Sequence, residues 1–150
     1  MTNESLTALF ARYGDDVFRL AYSYLGNVAD AEDVCQNVFL RLAEKNTELE
    51  VGKEKHWLLK CTANACKNQL RSFWRKNRQE LSDHIPSLDK KENDVHDAVM
   101  RLPPNYRVVI HLYYFEGYNQ KEIAETLRIS LTAVQTRMSR AREMLRKELA

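Results

Sequence analysis

The segment from Asn119 to Lys147, NQKEIAETLRISLTAVQTRMSRAREMLRK, constrains the fold of this chain more than any other stretch. It predicts a short helix and a longer one, joined by a tight turn at residues 128–130. In the longer helix, apolar residues recur at spacings of four, three and four, which predicts one buried seam of Val134, Met138, Ala141 and Leu145. The shorter helix carries an apolar stripe of Ile123, Ala124 and Leu127. A small helix packed across a longer one through a short turn is helix-turn-helix geometry.

Both predicted helices start with residues that favour a first turn. Asn119 is placed to cap the shorter helix, and Glu122, three residues later, can reach back to the backbone of the cap. Ser130 is placed to cap the longer helix. The capping residues therefore support the two helix starts that the apolar pattern predicts.

The face of the longer helix opposite its seam is polar. At about 100° per residue, it holds Thr132, Gln135, Thr136, Ser139 and Arg140. Short hydrogen-bonding groups and a guanidinium are the groups that read base edges in a DNA major groove. The alternative is an ordinary helical hairpin with a solvated polar face. The paired caps and three arginines along the helix favour DNA recognition: Arg137, Arg140 and Arg142.

Charge is distributed unevenly along the chain. The formal net charge is +2, but residues 1–50 carry 4 basic and 9 acidic side chains, and residues 51–80 carry 8 and 2. Residues 81–100 are acidic, with 2 and 5, and residues 101–150 are basic, with 9 and 5. Two basic blocks predict two surfaces that face a polyanion, and the acidic front predicts a surface for another partner. The small net charge argues against a protein that coats nucleic acid indiscriminately.

Two amphipathic helices are predicted within the acidic segment, residues 1–50. The first follows a helical period from Leu6 to Tyr24, with an aromatic-rich core face that includes Phe10, and ends at Gly26. The second begins at Asn27 or Asp30 and buries Val34, Cys35, Val38, Phe39 and Leu42. Its other face is polar and acidic, with Leu40 in the middle. Leu40 is either an ordinary exposed leucine or the apolar centre of a protein-contact patch.

After a loop at residues 46–53, a third helix is predicted from about Glu54 to Arg78. Its inward side is predicted to hold Leu58, Cys61, Thr62, Ala65 and Phe73. Its outward stripe, at spacings of four and three, is formed by Lys60, Asn64, Lys67, Arg71, Trp74 and Arg78. The cations suit phosphates, and the indole adds a surface on which an unstacked base can lie. A merely solvated basic face is the alternative.

The predicted fold class is all-α, with two small helical domains joined by a flexible linker. The expected domains are residues 1–78 and 94–150, and the polar, Pro86-containing linker is residues 79–93. In the second domain, a short helix is stopped by Pro103-Pro104. The helix that follows, from about Asn105 to Gly117, is expected to bury Val109, Leu112 and Tyr113.

Several classes of protein are not expected. The sequence shows no constellation of nucleophile, base and orienting group and no metal-ligand spacing, so neither an enzyme nor a cofactor- or metal-binding protein is expected. Its three cysteines, Cys35, Cys61 and Cys66, are expected to be reduced core thiols. No apolar run approaches the roughly twenty residues of a membrane span, and no signal peptide is visible. A cytoplasmic protein without membrane insertion is therefore expected.

Three motifs follow one another along the chain. They are DAEDVCQNVFLRL at 30–42, WLLKCTANACKNQLRSFWRK at 57–76, and LPPNYRVVIHLYYFEGYNQKEIAETLRIS at 102–130 followed by AVQTRMSRAREMLR at 133–146. Together they resemble the extracytoplasmic-function group of sigma factors, the shortest branch of the sigma-70 family, over nearly the whole chain. The resemblance implies an alternative sigma factor, which directs RNA polymerase to promoters while the polymerase performs the catalysis.

The resemblance also implies a role for each motif. The second helix would bind the largest catalytic subunits of the bacterial RNA polymerase core through Asp30, Glu32, Asp33, Gln36, Asn37 and Leu40. The third helix would bind the single-stranded downstream promoter element, with Asn64 on a base, through Lys60, Asn64, Lys67, Arg71, Trp74 and Arg75. The helix-turn-helix, whose longer helix is the recognition helix, would bind the double-stranded upstream element, with Lys121 and Arg137 on phosphates, through Lys121, Thr132, Gln135, Thr136, Arg137, Ser139 and Arg140. An anti-sigma factor, able to hold the protein at the membrane, would be a further partner.

The chain departs from the family's pattern at three places. Thr132-Ala133 stand where the family usually has Gly-Thr, Gln135 where it often has a basic residue, and Asn68 where an Asp is common. These departures leave the fold alone and bear on the DNA sequence recognised. Two other functions stay open: a stand-alone helix-turn-helix regulator, which leaves the acidic patch without a role, and an interaction protein that mimics a sigma factor.

Overall fold

A computed structural model of the protein describes residues 2–45, 48–76 and 94–150, the side chains of residues 73–76 and of Asp94 excepted. All regular structure in these ranges is helical, which confirms the all-α prediction. The chain divides into two compact units, Met1–Lys67 and Asn68–Ala150. The predicted linker, residues 79–93, lies outside the described residues, as does the predicted helical end at Arg78. No helix in the described ranges is long and apolar enough to cross a lipid bilayer.

The first unit begins with α1 (Asn3–Leu25) and α2 (Val28–Glu44), which pack against each other. Gly26 ends α1 with a left-handed φ of 69°, a conformation that glycine adopts without steric cost. Asn27 then caps α2, because its side-chain Oδ1 accepts a hydrogen bond from the Asp30 N–H at 3.1 Å. Both boundaries agree with the sequence prediction.

The predicted core of α2 is confirmed, since Val34, Cys35, Val38, Phe39 and Leu42 are all buried. Phe10 of α1 differs from the prediction. Its side chain is 51% exposed, and its ring meets the Phe39 ring edge-on at a centroid distance of 5.1 Å. Phe10 therefore covers the core at its surface and is not part of the buried interior.

The buried face of α3 (Glu54–Lys76) is rotated from the prediction. Leu58 and Thr62 are buried as expected, but Cys61 and Ala65 are only half-buried, and the Phe73 side chain lies outside the described residues. Burial instead extends to Leu59, Ala63 and Cys66. Small or apolar residues flank Leu58 and Thr62 on both sides, so the spacing leaves the rotation open, and tertiary packing selects one side.

Two polar side chains in this core, those of Thr62 and Cys66, are buried in an uncharged form. The Thr62 hydroxyl donates a hydrogen bond to the Leu58 carbonyl at 2.7 Å, one turn earlier in α3. Burial raises the pKa of the Cys66 thiol to about 12, so the thiol stays neutral at physiological pH. No disulfide forms among the three cysteines, all of which the structure describes; Cys35 and Cys66 fit the expectation of core thiols, whereas the half-buried Cys61 does not.

The second unit packs α4 (Asp94–Arg101), α5 (Pro104–Ile110) and α6 (Gln120–Leu127) against the long α7 (Leu131–Leu149). The buried guanidinium of Arg107 in α5 donates hydrogen bonds to the carbonyls of Met100, at 2.9 Å, and Leu102, at 3.2 Å. These bonds tie α5 to the end of α4 across the two prolines. An ion pair of 2.8 Å between Arg101 and Glu148 joins α4 to the end of α7.

The helix predicted from Asn105 to Gly117 is not a regular α-helix throughout. A π-helical turn, His111–Phe115, follows α5, and the Glu116 N–H donates to the His111 carbonyl five residues back at 3.2 Å. The wider turn breaks the 3.6-residue period on which burial was predicted. Val109 and Leu112 are buried as expected, but Tyr113 is only half-buried, which corrects that prediction.

Candidate functional site

The two helix starts of the helix-turn-helix are capped as the sequence predicts. Asn119 Oδ1 accepts from the Glu122 N–H at 2.8 Å, and Glu122 Oε1 accepts from the Asn119 N–H at 3.0 Å, which completes a capping box. Ser130 Oγ accepts from the Ala133 N–H at 3.0 Å. The N-terminal ends of both helices are therefore held by local bonds.

The turn between these helices contains a feature that the sequence does not signal. Arg128 adopts a left-handed conformation with φ 54°, although it has a Cβ. The Ile129 N–H then donates to the Ala124 carbonyl at 3.1 Å, closing the end of α6. A side-chain-bearing residue in this region costs about 1–2 kcal/mol, so the packing of α6 on α7 must hold the turn in place.

The seam that joins the two helices is largely as predicted. Ile123 and Leu127 of α6 are buried, as are Val134, Met138 and Ala141 of α7. Ala124 and Leu145, at the edges of the two stripes, are half-buried. Thr126 is also buried, with its hydroxyl donating to the Glu122 carbonyl at 2.8 Å, and the apolar pattern did not identify it.

The polar face of α7 is exposed along its length. The five side chains predicted there are all exposed: Thr132, Gln135, Thr136, Ser139 and Arg140. From Thr132 to Arg140 the helix rises about 12 Å, which is close to the width of a B-DNA major groove. Lys121 in α6 is exposed, and Arg137, on the flank of α7, is half-buried. The five predicted side chains thus lie along one exposed face of α7.

The arginines of α7 differ in what they contact. Arg142 Nε donates to Tyr114 Oη at 3.2 Å, and its guanidinium lies 5.5 Å from the centroid of the Tyr113 ring. Arg146 pairs with Glu143 at 3.6 Å. Arg137 and Arg140 have no hydrogen bond or ion pair to any residue that the structure describes. Arg142, one of the three arginines that favoured DNA recognition in the sequence, contacts tyrosines of its own unit and is not included in the proposed DNA-facing surface.

A second surface lies on the outer face of α2. Glu32, Asp33, Gln36, Asn37 and Leu40 are exposed and Asp30 is half-buried, so the structure gathers all six predicted residues. Leu40 is 56% exposed. None of the three carboxylates forms an ion pair within the described ranges. Burial raises the pKa of the neighbouring Cys35 thiol, and the negative charges of Asp15 and Glu32 raise it further, which indicates a negative potential here.

A third surface runs along the outer side of α3. Asn64 and Arg71 are exposed, and Lys60 and Lys67 are half-buried with their positions on the same side of the helix. Trp74 and Arg75 lie in the last turns of α3, and their side chains are outside the described residues. The described part of this surface presents an amide between cations.

Within the described ranges, no group of three or more His, Cys, Asp or Glu side chains could hold a metal ion. The three surfaces carry hydrogen-bonding groups, charged groups and one exposed leucine. These groups can bind a partner by complementarity of charge and hydrogen bonding.

Comparison with protein-family models identifies two regions. Residues 9–76 match sigma-70 region 2, and residues 92–145 match sigma-70 region 4. The first range contains the surfaces of α2 and α3, and the second contains the helix-turn-helix.

Individual proteins are similar over most of the chain. The ECF RNA polymerase sigma factor SigE of Mycolicibacterium smegmatis is 32% identical over 95% of this chain, which spans 60% of that protein's length. The RNA polymerase sigma factor SigV of Bacillus subtilis is 30% identical, with 99% of this chain and 93% of SigV covered. The sigma factor RpoE of Bartonella quintana, solved in complex with the anti-sigma factor NepR, has a similar fold, with 21% identity, a TM-score of 0.77 and 97% of each chain covered.

Proposed function

Because this chain belongs to the extracytoplasmic-function group of the sigma-70 family, it is an alternative RNA polymerase sigma factor, and we propose that it divides its work among three surfaces. The face of α2 binds core polymerase, the outer side of α3 binds the opened downstream promoter element, and α7 binds the upstream element as duplex DNA. The observation that carries this proposal is that one chain presents an acidic face and two recognition arginines, Arg137 and Arg140, that have no ion pair within the described residues.

The proposal for α2 rests on exposure and charge. A 56% exposed leucine surrounded by amides and carboxylates has the composition of a contact patch with an apolar centre and a polar rim. Such a patch suits a basic helix of the partner, because each carboxylate is available for an intermolecular ion pair. We assign Asp30, Glu32, Asp33, Gln36, Asn37 and Leu40 to the polymerase contact.

The proposal for α3 rests on its mixture of cations and an exposed amide. Phosphate contacts alone position a strand, and a side-chain amide adds the hydrogen-bonding groups that distinguish bases. Asn64 lies between half-buried Lys60 and Lys67, with exposed Arg71 one turn further on. We assign the base contact to Asn64 and the phosphates to the three cations. Trp74 and Arg75 complete the assignment from the sequence.

The proposal for α7 rests on its continuous exposed face. Gln135, Thr136, Ser139 and Arg140 have the donors and acceptors that read base edges, and Thr132 lies at the start of the same face. Arg140 is the strongest base-reading candidate, because its guanidinium has no partner in the part of the chain that the structure describes and can make a bidentate contact to guanine. Lys121 and Arg137 flank this face and are assigned to phosphates.

The domain boundaries, the place of action and a further partner complete the proposal. We propose domains at 1–78 and 94–150 with a linker at 79–93, a division supported by the family matches at 9–76 and 92–145. The chain itself performs no chemistry, and its place of action is the cytoplasm, at the nucleoid when bound to polymerase. An anti-sigma factor is proposed as a further partner, which can hold the protein at the membrane; RpoE, which shares the fold, was solved with one.

Run-off transcription with core polymerase on genomic fragments tests the proposed function. The purified chain should bind core polymerase and produce transcripts that start at a defined set of promoters. Tight, specific DNA binding without polymerase would instead indicate a stand-alone regulator. Polymerase binding without any promoter-directed transcript would indicate a protein that mimics a sigma factor.

Arg140→Ala should weaken recognition of the upstream element by about 1–3 kcal/mol, because the guanidinium that reads a base is lost. Competition between promoter variants for the holoenzyme measures the effect. The sequence preference should relax at one base pair and stay unchanged elsewhere. An equal loss on every sequence would make Arg140 a phosphate contact.

Asn64→Ala should impair formation of the open complex more than initial binding of duplex DNA, since α3 is assigned to the separated strand. Permanganate reactivity of unpaired thymines measures opening, and a mobility shift at low temperature measures duplex binding. Ser72→Ala, at an exposed serine of α3 outside the assigned set, provides the matched control. Equal effects of Asn64→Ala on both steps would remove its role in binding the open strand.

A further inference from the structure

A broad open groove of about 650 Å³ lies beside the recognition helix, entirely within the second unit. One wall is α7, with Thr132, Arg137 and Arg140. The other wall is the start of α5, with Asn105 and Tyr106. The α5 wall lies outside the helix-turn-helix, so sequence motifs for DNA recognition do not point to it.

The chemistry of the groove suits an anion. Two guanidiniums, hydroxyl groups and an amide line it, and no carboxylate is among the lining residues. Two other arginines of this unit are engaged, in the pairs Arg101–Glu148 and Arg142–Tyr114. Arg137 and Arg140 have no such partner among the described residues. Within the described residues, the positive charge in the groove is therefore not neutralised by an ion pair.

Continuity with the exposed face of α7 identifies the anion. Thr132, Thr136 and Arg140 belong both to that face and to the groove, so a duplex seated on the face must pass its backbone along the groove. The opposite wall is held in place, because α5 packs against α7 and the buried Arg107 bonds it to the end of α4. A fixed wall beside a DNA-reading helix can position the duplex without reading its sequence.

We propose that this groove is a phosphate seat, in which the Tyr106 hydroxyl and the Asn105 amide of α5 bind the same DNA backbone phosphate that Arg137 contacts from α7. The inference rests on the proposed binding of the upstream element by α7, and it adds α5 as a positioning wall. The seat sets the register of α7 in the major groove, so base contacts by Gln135 and Arg140 form at defined base pairs.

The test compares one substitution that removes a neutral group with one that removes a positive charge, both in the complete holoenzyme. Binding is measured on a duplex promoter found by the run-off assay and on a duplex with a scrambled upstream element. Tyr106→Phe should weaken binding about three- to tenfold on both duplexes, with an unchanged salt dependence, because a neutral hydrogen bond is lost. Arg137→Gln should also weaken both, and it should lower the slope of log affinity against log salt by about one.

Matched controls separate these effects from changes in the fold. Tyr113→Phe removes the hydroxyl of a half-buried tyrosine outside the groove, and Arg146→Gln removes a cation from the same helix; both should leave affinity within about twofold of wild type. Thermal unfolding of each variant should match wild type. Loss of affinity in Tyr113→Phe equal to that in Tyr106→Phe would overturn the proposal.

Single methylphosphonate linkages, which remove the charge of one phosphate at a time, locate the seat. One linkage beside the upstream element should weaken wild-type binding and have no further effect on the Tyr106→Phe, Arg137→Gln double variant. The two single substitutions should also be less than additive, since they act on one phosphate. The proposal would be overturned if the effects of the two substitutions were fully additive. It would also be overturned if no single linkage weakened wild-type binding while leaving binding of the double variant unchanged. If the wild-type holoenzyme still selects its promoter in the same experiment, the proposed function stands and only the phosphate seat is rejected.

Discussion

Leu40→Asp should weaken binding to core polymerase by about 2 kcal/mol or more, which is about thirtyfold in affinity. The leucine is the apolar centre of a face that otherwise carries amides and carboxylates, and its side chain is 56% exposed. Substitution by Asp removes the buried apolar contact and places a further negative charge at the centre of the interface. Because Leu40 does not contribute to the core, the fold should be unaffected.

Co-purification of the chain with core polymerase, followed by a titration of fluorescently labelled protein, measures this effect. Val28→Asp is the matched control, because Val28 is 54% exposed on the same helix but lies at its start, outside the assigned patch. The control should bind as wild type does. Unchanged co-purification of Leu40→Asp would move the polymerase contact away from α2.

Met138→Ala should destabilise the second unit by about 2–5 kcal/mol, because it leaves a cavity between α7 and the helices packed on it. Met138 is 1% exposed and lies at the centre of the seam. The described helices of this unit, residues 94–150, are expected to have a total stability of only about 3–9 kcal/mol, at about 0.05–0.15 kcal/mol per residue. The substitution should therefore unfold a large fraction of the unit and abolish recognition of the upstream element.

Hydrogen exchange, followed separately for residues 3–67 and 94–150, measures where stability is lost. Exchange should accelerate in the second range while polymerase binding through α2 is retained. Met144→Ala provides the control, since this methionine of the same helix is 39% exposed and its loss should cost about 0.5 kcal/mol or less. Similar exchange in both variants would contradict the assignment of Met138 to a packed seam.

The helix-turn-helix was predictable in detail because its signals are local. The capping box joins residues three apart, and the seam of α7 repeats within one helix. The same holds for Gly26 and Asn27, which set the boundary between α1 and α2. Interactions over three or four positions can be read from a sequence without knowing the rest of the fold.

The rotation of α3 was not predictable in this way. Spacing identified Leu58 and Thr62 but placed Cys61 on the core face, where the structure has Leu59, Ala63 and Cys66. Cysteine, alanine and leucine occur on both sides of the helix, so the difference in hydrophobicity between the two rotations is small. The outer face as a binding surface stays a proposal, and Asn64 and Arg71 are exposed in the observed rotation.

The sequence by itself determined the helices, their caps and the polar face of α7, because each depends on residues within a turn or two of one another. Only the tertiary structure decided which arginines of α7 contact other side chains of the described residues. Arg142 meets a tyrosine 28 positions away, at a π-helical turn that no local pattern predicted, whereas Arg137 and Arg140 border a groove whose other wall comes from α5. Contacts between distant positions depend on how helices pack and rotate, and packing is a property of the whole unit.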